Sequence, residues 1–233
     1  MNTLTLSRLI TCAIFVAGLS QASLAEAGAP TEVLRGVFHD ANVILTDPST
    51  EQRPLERLVA IRALFSRVFD FRDAAERSLG RQWQARTAAE QQEFTRLFAD
   101  FVQRGFVYWL ASVAEVDGRA GGATVQFIGE TVDRDTATVQ TAILARGGRL
   151  IPLTHTLVYQ NRRWVVRDVN IEGISLVANY RSQFDRVIRG SSYPQLVQLI
   201  RARIASEYPF PEPPGQGAAA VYTPAREIPF EMR

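Results

Sequence analysis

Residues 164–184 read WVVRDVNIEGISLVANYRSQF, and this stretch decides the fold. Its first half, up to Ile171, is β-branched and aromatic, which is typical of a strand. Glu172 and Gly173 interrupt the run, and glycine tolerates the backbone angles that a sharp corner requires. Ser175 suits the N-cap of a helix whose apolar residues recur three and four positions apart. The stretch therefore predicts a strand that turns directly into an amphipathic helix folded back over its sheet.

Upstream of this stretch, apolar residues alternate with polar ones after a group of glycines at 118–122. Alternation with a period of two is the pattern of a half-buried strand. The short connections at 133–135 and 147–148 suit hairpins, which join antiparallel neighbours. We expect a four-stranded antiparallel meander with strands at 125–127, 137–145, 150–159 and 164–171.

The segments before and after the meander have helical periodicity. Asp70 is a candidate N-cap for a short helix that ends at Gly80. Thr87 and Glu90 form a capping box, which begins a long helix with a broad apolar stripe. The fold class is therefore predicted to be α+β, with N- and C-terminal helices packed on one face of the sheet.

The two ends of the chain have compositions that differ from the middle. Residues 1–25 hold a positive charge at Arg8, a short apolar run and small residues before a cleavage point after Ala25, as in a secretory signal peptide. The only cysteine, Cys12, lies in this segment. Residues 207–233 are proline-rich and are expected to lack a fixed structure. One domain is predicted between them, at residues 26–206, and the signal peptide predicts that this domain is secreted.

Composition argues against several classes of function. The 26 cationic residues are all arginine, and 24 carboxylates nearly balance them, so the formal charge of +2 gives little support for nucleic-acid binding. A metal site needs three or four good ligands. His39 and His155 are the only histidines, and we expect His155 at the surface or at the mouth of the sheet. No metal or cofactor is predicted.

One motif could serve catalysis. Gly173-Ile174-Ser175 lies in a strand–turn–helix context but lacks the second glycine of the hydrolase elbow. Helix capping is the favoured explanation of Ser175, and a hydrolase remains an alternative. Asp168 and Glu172 could form a carboxylate pair, but a structural or partner-contact role is favoured. The protein is predicted not to be an enzyme.

Two blocks of sequence resemble one known family. The pattern W-x-x-x-D-V-x-I-E-G-I-S-L-V-x-N-Y-R-x-Q-F at 164–184 is similar to the signature of the MlaC family, also called toluene-tolerance or Ttg2-type proteins. The second block precedes it in the matching order and spacing, and it comprises Phe69-Asp70-Phe71, Ser78-Leu79-Gly80, Trp83, Thr87, Gln91, Phe94, Phe98, Phe101 and Tyr108. The resemblance extends over about residues 30–206.

The resemblance implies a sheet and helices that enclose an apolar cavity for lipid acyl chains. It further implies a monomeric periplasmic phospholipid carrier, with bound phospholipid as cargo, that maintains outer-membrane lipid asymmetry. The implied partners are an outer-membrane lipoprotein complex and an inner-membrane MCE-domain protein with its ABC transporter. Strand and helix phase then predict these lipid contacts: Phe94, Phe98, Phe101, Val102, Tyr108, Leu157, Tyr159, Val169, Ile171, Leu176, Tyr180 and Phe184.

Three further points stay open at the level of sequence. Arg181 and Arg186 are candidates to lie near a lipid phosphate, because guanidinium groups bind phosphate well. A hopanoid-associated branch of the same family would carry a rigid polycyclic lipid instead of a phospholipid. An envelope adaptor, which would bind a protein segment in the cleft between sheet and helices, is the alternative from another class.

Overall fold

The computed structural model describes residues 29–50, 52–113, 124–145 and 148–206. The predicted signal peptide and the predicted C-terminal tail lie outside the described residues, so both stay predictions. The described ranges include most of the predicted domain at residues 26–206.

Helices occupy both ends of the described part. Four precede the long central one, and two follow the sheet. Their bounds are α1 (Pro30–Thr46), α2 (Pro54–Val68), α3 (Phe71–Leu79), α4 (Arg81–Gln84), α5 (Ala88–Val113), α6 (Leu176–Gly190) and α7 (Tyr193–Ser206), with a 3-10 turn at Pro48–Thr50. None of the helices in the described residues combines the length and the apolar character that crossing a bilayer requires.

The predicted helix caps are confirmed. The Asp70 side chain accepts a hydrogen bond from the Asp73 amide at 2.9 Å, which satisfies a free donor at the start of α3. Gly80 ends that helix at a φ of +55°. The Glu90 carboxylate accepts from the Thr87 amide at 2.7 Å, and the Thr87 hydroxyl accepts from the Glu90 amide at 3.2 Å. This reciprocal pair is the predicted capping box at the start of α5.

The sheet is an antiparallel meander, but it has five strands, so the prediction of four is wrong by one. The strands run in sequence order as β1 (Val125–Asp133), β2 (Thr136–Leu144), β3 (Leu150–Gln160), β4 (Arg163–Ile171) and β5 (Ile174–Ser175). The predicted first strand at 125–127 continues to Asp133. The additional strand, β5, is only two residues long, which is too short for an alternating pattern to reveal it.

The corner between β4 and α6 explains the fifth strand. Glu172 and Gly173 both have positive φ, at +50° and +89°, so the chain reverses within two residues. Ser175 then lies opposite Asn170 and pairs with β4 before it caps α6. The tight reversal thus adds a short edge strand beside β4.

Three groups of buried residues hold the domain together. The inner face of the sheet packs against α1 and the end of α5, through residues such as Leu34 and Trp109. A helical core lies between α3, α4, α5, α6 and α7. The third core joins α1 to α2 and has four buried members, Val37, Ala41, Ile61 and Leu64. The α1–α2 pair therefore has a small core of its own.

Candidate functional site

A cavity lies where the inner face of the sheet meets the helices. α1 and α2 form one side of it, β3 and β4 form another, and α3, α5 and α6 complete the wall. The lining residues are Leu34, Val37, Phe38, Phe65, Val68, Phe69, Phe71, Val102, Gln103, Phe106, His155, Val166, Val169 and Leu176. Twelve of these fourteen side chains are hydrocarbon, so the cavity suits an apolar ligand.

The cavity is narrow in this structure. Its volume is about 70 Å³. A dry protein cavity that binds benzene has a volume of roughly 150 Å³. The walls must therefore move apart before the cavity can hold a long acyl chain.

Gln103 is one of the two polar residues in the wall, and its amide group is fully engaged. Its Oε1 accepts from Arg62 Nε at 3.2 Å. Its Nε2 donates to the Ser66 hydroxyl at 2.7 Å and to the Arg62 carbonyl at 3.3 Å. These bonds tie α5 to α2, and an ion pair between Arg62 and Asp100 strengthens the tie. Gln103 therefore serves to hold the wall together.

His155 is the other polar residue in the wall. It is only 4% exposed, so its predicted position at the surface or mouth is wrong. It lies between Leu153 and Leu157 in sequence and shares their inward face, because alternate residues of β3 point inward. Its Nε2 lies 2.9 Å from the Thr141 hydroxyl on β2. Burial lowers its pKa to about 4, so the ring is neutral at ordinary pH.

The arrangement around Ser175 is structural. The Ser175 hydroxyl donates to Asp168 at 2.5 Å and accepts from the Ala178 amide at 3.0 Å. Glu172 turns away to pair with Arg149 at 2.6 Å, so the two carboxylates do not face each other. Neither His39 nor His155 hydrogen-bonds to Ser175 in the described part. The described residues contain no group of three His, Cys, Asp or Glu side chains that could hold a metal ion.

Comparison with known proteins decides the family. The sequence model of the MlaC protein family matches residues 36–202, which is most of the chain. The chain belongs to the MlaC family. No curated protein matches it significantly in sequence.

Among solved structures, a similar fold occurs in the phospholipid-binding protein from Ralstonia solanacearum, which was determined in complex with a phospholipid. That chain is 23% identical to this member of the MlaC family, with a TM-score of 0.65, and the match covers 76% of this chain and 98% of the other. The two proteins therefore share their fold.

The structure separates the predicted lipid contacts of this MlaC-family member into three groups. Val102, Val169 and Leu176 line the cavity. Leu157, Tyr159 and Ile171 belong to the core on the inner face of the sheet. The remaining described side chains lie in the helical core, and they are Phe94, Phe98, Phe101, Tyr180 and Phe184. The Tyr108 side chain lies outside what the structure describes.

The helical group is packed ring against ring. The Tyr180 ring contacts the edges of Phe98 and Phe101, with centroids 5.7 and 5.4 Å apart. Its hydroxyl lies over Gly105 of α5, where an added Cβ would be 4.0 Å away. A Cβ at this distance would make an ordinary van der Waals contact, so the position of Tyr180 does not require a glycine at 105.

Sequence reasoning missed the part of the wall that comes from α1 and α2. Five residues on these helices line the cavity, namely Leu34, Val37, Phe38, Phe65 and Val68. Their spacing of three and four marks them as buried helix positions. Nothing in that spacing indicates which cavity or core they face, because the α1–α2 pair meets the sheet through contacts that are distant in sequence.

Proposed function

We propose that this protein is a periplasmic phospholipid carrier that exchanges lipid with complexes in the outer and inner membranes and so maintains outer-membrane lipid asymmetry. The observation that carries the proposal is the apolar cavity, in which twelve of fourteen lining side chains are hydrocarbon. Membership of the MlaC family supports it. So does the shared fold with the phospholipid-bound protein from Ralstonia solanacearum.

Energetics explain why such a carrier needs partners to give transport a direction. Two acyl chains contain roughly 30 methylenes, and each gains about 0.8 kcal/mol on leaving water. Burial of both chains is thus worth on the order of 25 kcal/mol. A bilayer offers nearly the same gain, so extraction from a membrane is close to balanced. An outer-membrane lipoprotein complex and an inner-membrane MCE-domain protein with its ABC transporter would load and unload the carrier.

The cavity widens in this proposal by displacement of the α1–α2 pair from the sheet. These two helices supply five lining residues and have a separate core with only four buried members. The small core of this pair favours local opening, which would separate Leu34, Val33 and Phe38 of α1 from the sheet. The hydrogen bonds from Gln103 of α5 to Arg62 and Ser66 of α2 must break when α2 moves. Separation of the walls then exposes further apolar surface of the sheet to the acyl chains, including Leu157 and Ile171.

Native mass spectrometry of the mature protein tests the proposal. The protein is purified from the periplasm without detergent, and its mass is compared before and after denaturation. The expected result is a stoichiometric adduct of phospholipid mass that is released on unfolding. A hopanoid mass would move the protein to the hopanoid-associated branch of the family. Bare protein that also takes up no lipid from vesicles would exclude the carrier and favour the adaptor.

A further inference from the structure

The wall of the cavity contains one hydrogen-bonding atom that the protein does not use. Every amide atom of Gln103 that lines the wall has a partner on α2. His155 makes one hydrogen bond, through Nε2 to Thr141, and its Nδ1 has no partner among the described residues. In the described part, the fully enclosed side-chain atoms that lack a partner are Arg86 Nε and Gln183 Oε1, so Nδ1 is not sealed within the protein but reaches the space of the cavity. A cavity for plain hydrocarbon chains gains nothing from such an atom.

The chemistry of the ring limits what could bind there. In a neutral histidine one ring nitrogen donates a hydrogen bond and the other accepts one. The Thr141 hydroxyl can donate to Nε2, and the proton of the ring then lies on Nδ1. The ring lies beside Phe38, with centroids 5.9 Å apart, and its surroundings are apolar. A neutral acceptor therefore suits this position better than a charged phosphate, which would need water or a cation nearby.

We propose that His155 Nδ1 donates a hydrogen bond to an ester carbonyl of the bound diacyl lipid. This inference rests on the proposed carrier function. A diacyl phospholipid has two uncharged acceptors of this kind, and both lie where the tails join the glycerol. His155 thus fixes how deep the glycerol enters, and the tails extend from β3 along the inner face of the sheet.

The consequence is a preference for ester-linked lipids. A dialkyl phospholipid with ether links has the same tails and headgroup but lacks both carbonyls. A net hydrogen bond of this type changes affinity about three- to tenfold. The protein should therefore prefer the diacyl lipid over the dialkyl lipid by about that factor, since the dialkyl lipid leaves Nδ1 without a partner.

A competition experiment tests the inference. The delipidated full-length mature protein is mixed with vesicles that contain equal amounts of diacyl and dialkyl phosphatidylethanolamine of matched chain length. Native mass spectrometry then gives the ratio of the two adducts. The wild type should favour the diacyl lipid, His155→Leu should take up both equally, and His155→Gln, which retains a donor, should keep part of the preference. The matched control is Thr156→Leu, an exposed position on β3 next to His155 whose side chain points to the opposite face, and it should keep the full preference.

The outcomes separate this inference from the function on which it rests. Absence of both lipids from the wild type would overturn the carrier function and the inference together. Equal uptake by the wild type would overturn the inference alone, because the protein would still carry lipid. An unchanged preference in folded His155→Leu would also overturn it. The wild-type ratio needs no variant, so the inference is testable even if His155→Leu does not fold.

Discussion

The Asp168 carboxylate, near the end of β4, receives two hydrogen bonds from the start of α6. The Ser175 hydroxyl donates to it at 2.5 Å, and the Val177 amide donates at 3.1 Å. Arg77 of α3 lies 3.9 Å from the same carboxylate. Asp168 and Ser175 thus close the corner between strand and helix and orient α6 over the helical core. This gives a structural reason for the aspartate and the serine that stand seven residues apart in this chain.

Replacement of Asp168 by alanine should destabilise the fold strongly. The carboxylate is buried, and its loss leaves the Ser175 hydroxyl and the Val177 amide without their acceptor. Hydrogen bonds to a charged group are worth about 1.5–3 kcal/mol each. We expect Asp168→Ala to lower the free energy of unfolding by about 3 kcal/mol, and Ser175→Ala, which removes the cap, by about 1 kcal/mol. Urea unfolding followed by circular dichroism measures both.

The matched control for these variants is Asp185→Ala, on the exposed side of the same helix. Among the residues that the structure describes, Asp185 pairs with Arg189 one turn away, at 2.5 Å, and such exposed pairs contribute a few tenths of a kcal/mol. A loss of stability in Asp168→Ala no larger than in Asp185→Ala would show that the buried carboxylate does not hold the corner. If Ser175→Ala abolished a hydrolytic activity of the wild type without loss of stability, this result would favour the alternative that the protein is a hydrolase.

Gly80 should not tolerate a side chain. Its φ of +55° with ψ of −126° is a conformation that essentially only glycine adopts. An added Cβ would also lie 3.1 Å from Nε of Arg181, whose guanidinium covers the glycine. We expect Gly80→Ala to lower the free energy of unfolding by about 2 kcal/mol. Thermal or urea unfolding measures the change.

Two further variants identify the cause. Gly36 lies inside α1 with nothing within 4 Å of an added Cβ, so Gly36→Ala should raise stability by about 0.5–1 kcal/mol. Arg181→Ala in the Gly80→Ala background removes the contact but leaves the backbone strain. Full recovery of stability in that double variant would mean that crowding, and not the backbone angle, makes glycine necessary.

Local chemistry made parts of this fold predictable from sequence. The caps at Asp70 and Ser175 and the box at Thr87 and Glu90 each depend on side chains within three residues of the amides they satisfy. The alternation of β2, β3 and β4 follows from burial of one face. The strand β5 was not predictable, because it has only two residues. They pair with β4 because the chain reverses at Glu172 and Gly173.

The site was less predictable than the fold because its walls meet across long distances in sequence. Val102 and Val169 were identified from their phase, but Phe38 and Phe65 come from helices whose partner surface has no local signal. His155 shows a different limit. Its position between Leu153 and Leu157 in the alternating pattern indicates that it points inward, whereas the polarity of its side chain favours a position at the surface. Thr141, fourteen residues away, supplies the bond that makes burial acceptable.

A bulky side chain in the cavity should prevent lipid binding. Val169 lines the cavity from β4, so Val169→Phe should project into the space that the cargo needs. The matched control is Thr156→Phe, an exposed position on β3 next to His155 whose side chain points to the opposite face. Native mass spectrometry should show loss of most of the lipid adduct in Val169→Phe and an unchanged adduct in Thr156→Phe. Equal lipid content in the two variants would place the cargo elsewhere.

The helical aromatic residues should affect stability more than cargo. Phe98 is fully buried against Phe94, Tyr180 and Phe184 and does not line the cavity. We expect Phe98→Ala to cost about 3–5 kcal/mol of unfolding free energy, because truncation leaves a void in the core. At a temperature where the variant stays folded, its lipid stoichiometry should equal that of the wild type. Specific loss of lipid from folded Phe98→Ala would extend the site into the helical core.

His155 should make stability fall as the solution becomes acidic. Its pKa is about 4 in the folded protein, below its ordinary value of 6.5, because burial disfavours the charged ring. Between these two values the unfolded chain binds more protons than the folded one, so the free energy of unfolding decreases as pH falls from 6.5 to 4. A shift of this size corresponds to about 3 kcal/mol. Carboxylates contribute to the same pH range, so the difference between wild type and His155→Leu is the measurement, by urea unfolding at several pH values. Equal slopes for the two proteins would mean that the buried ring takes up its proton without cost, and that the cavity is wetter than its apolar wall indicates.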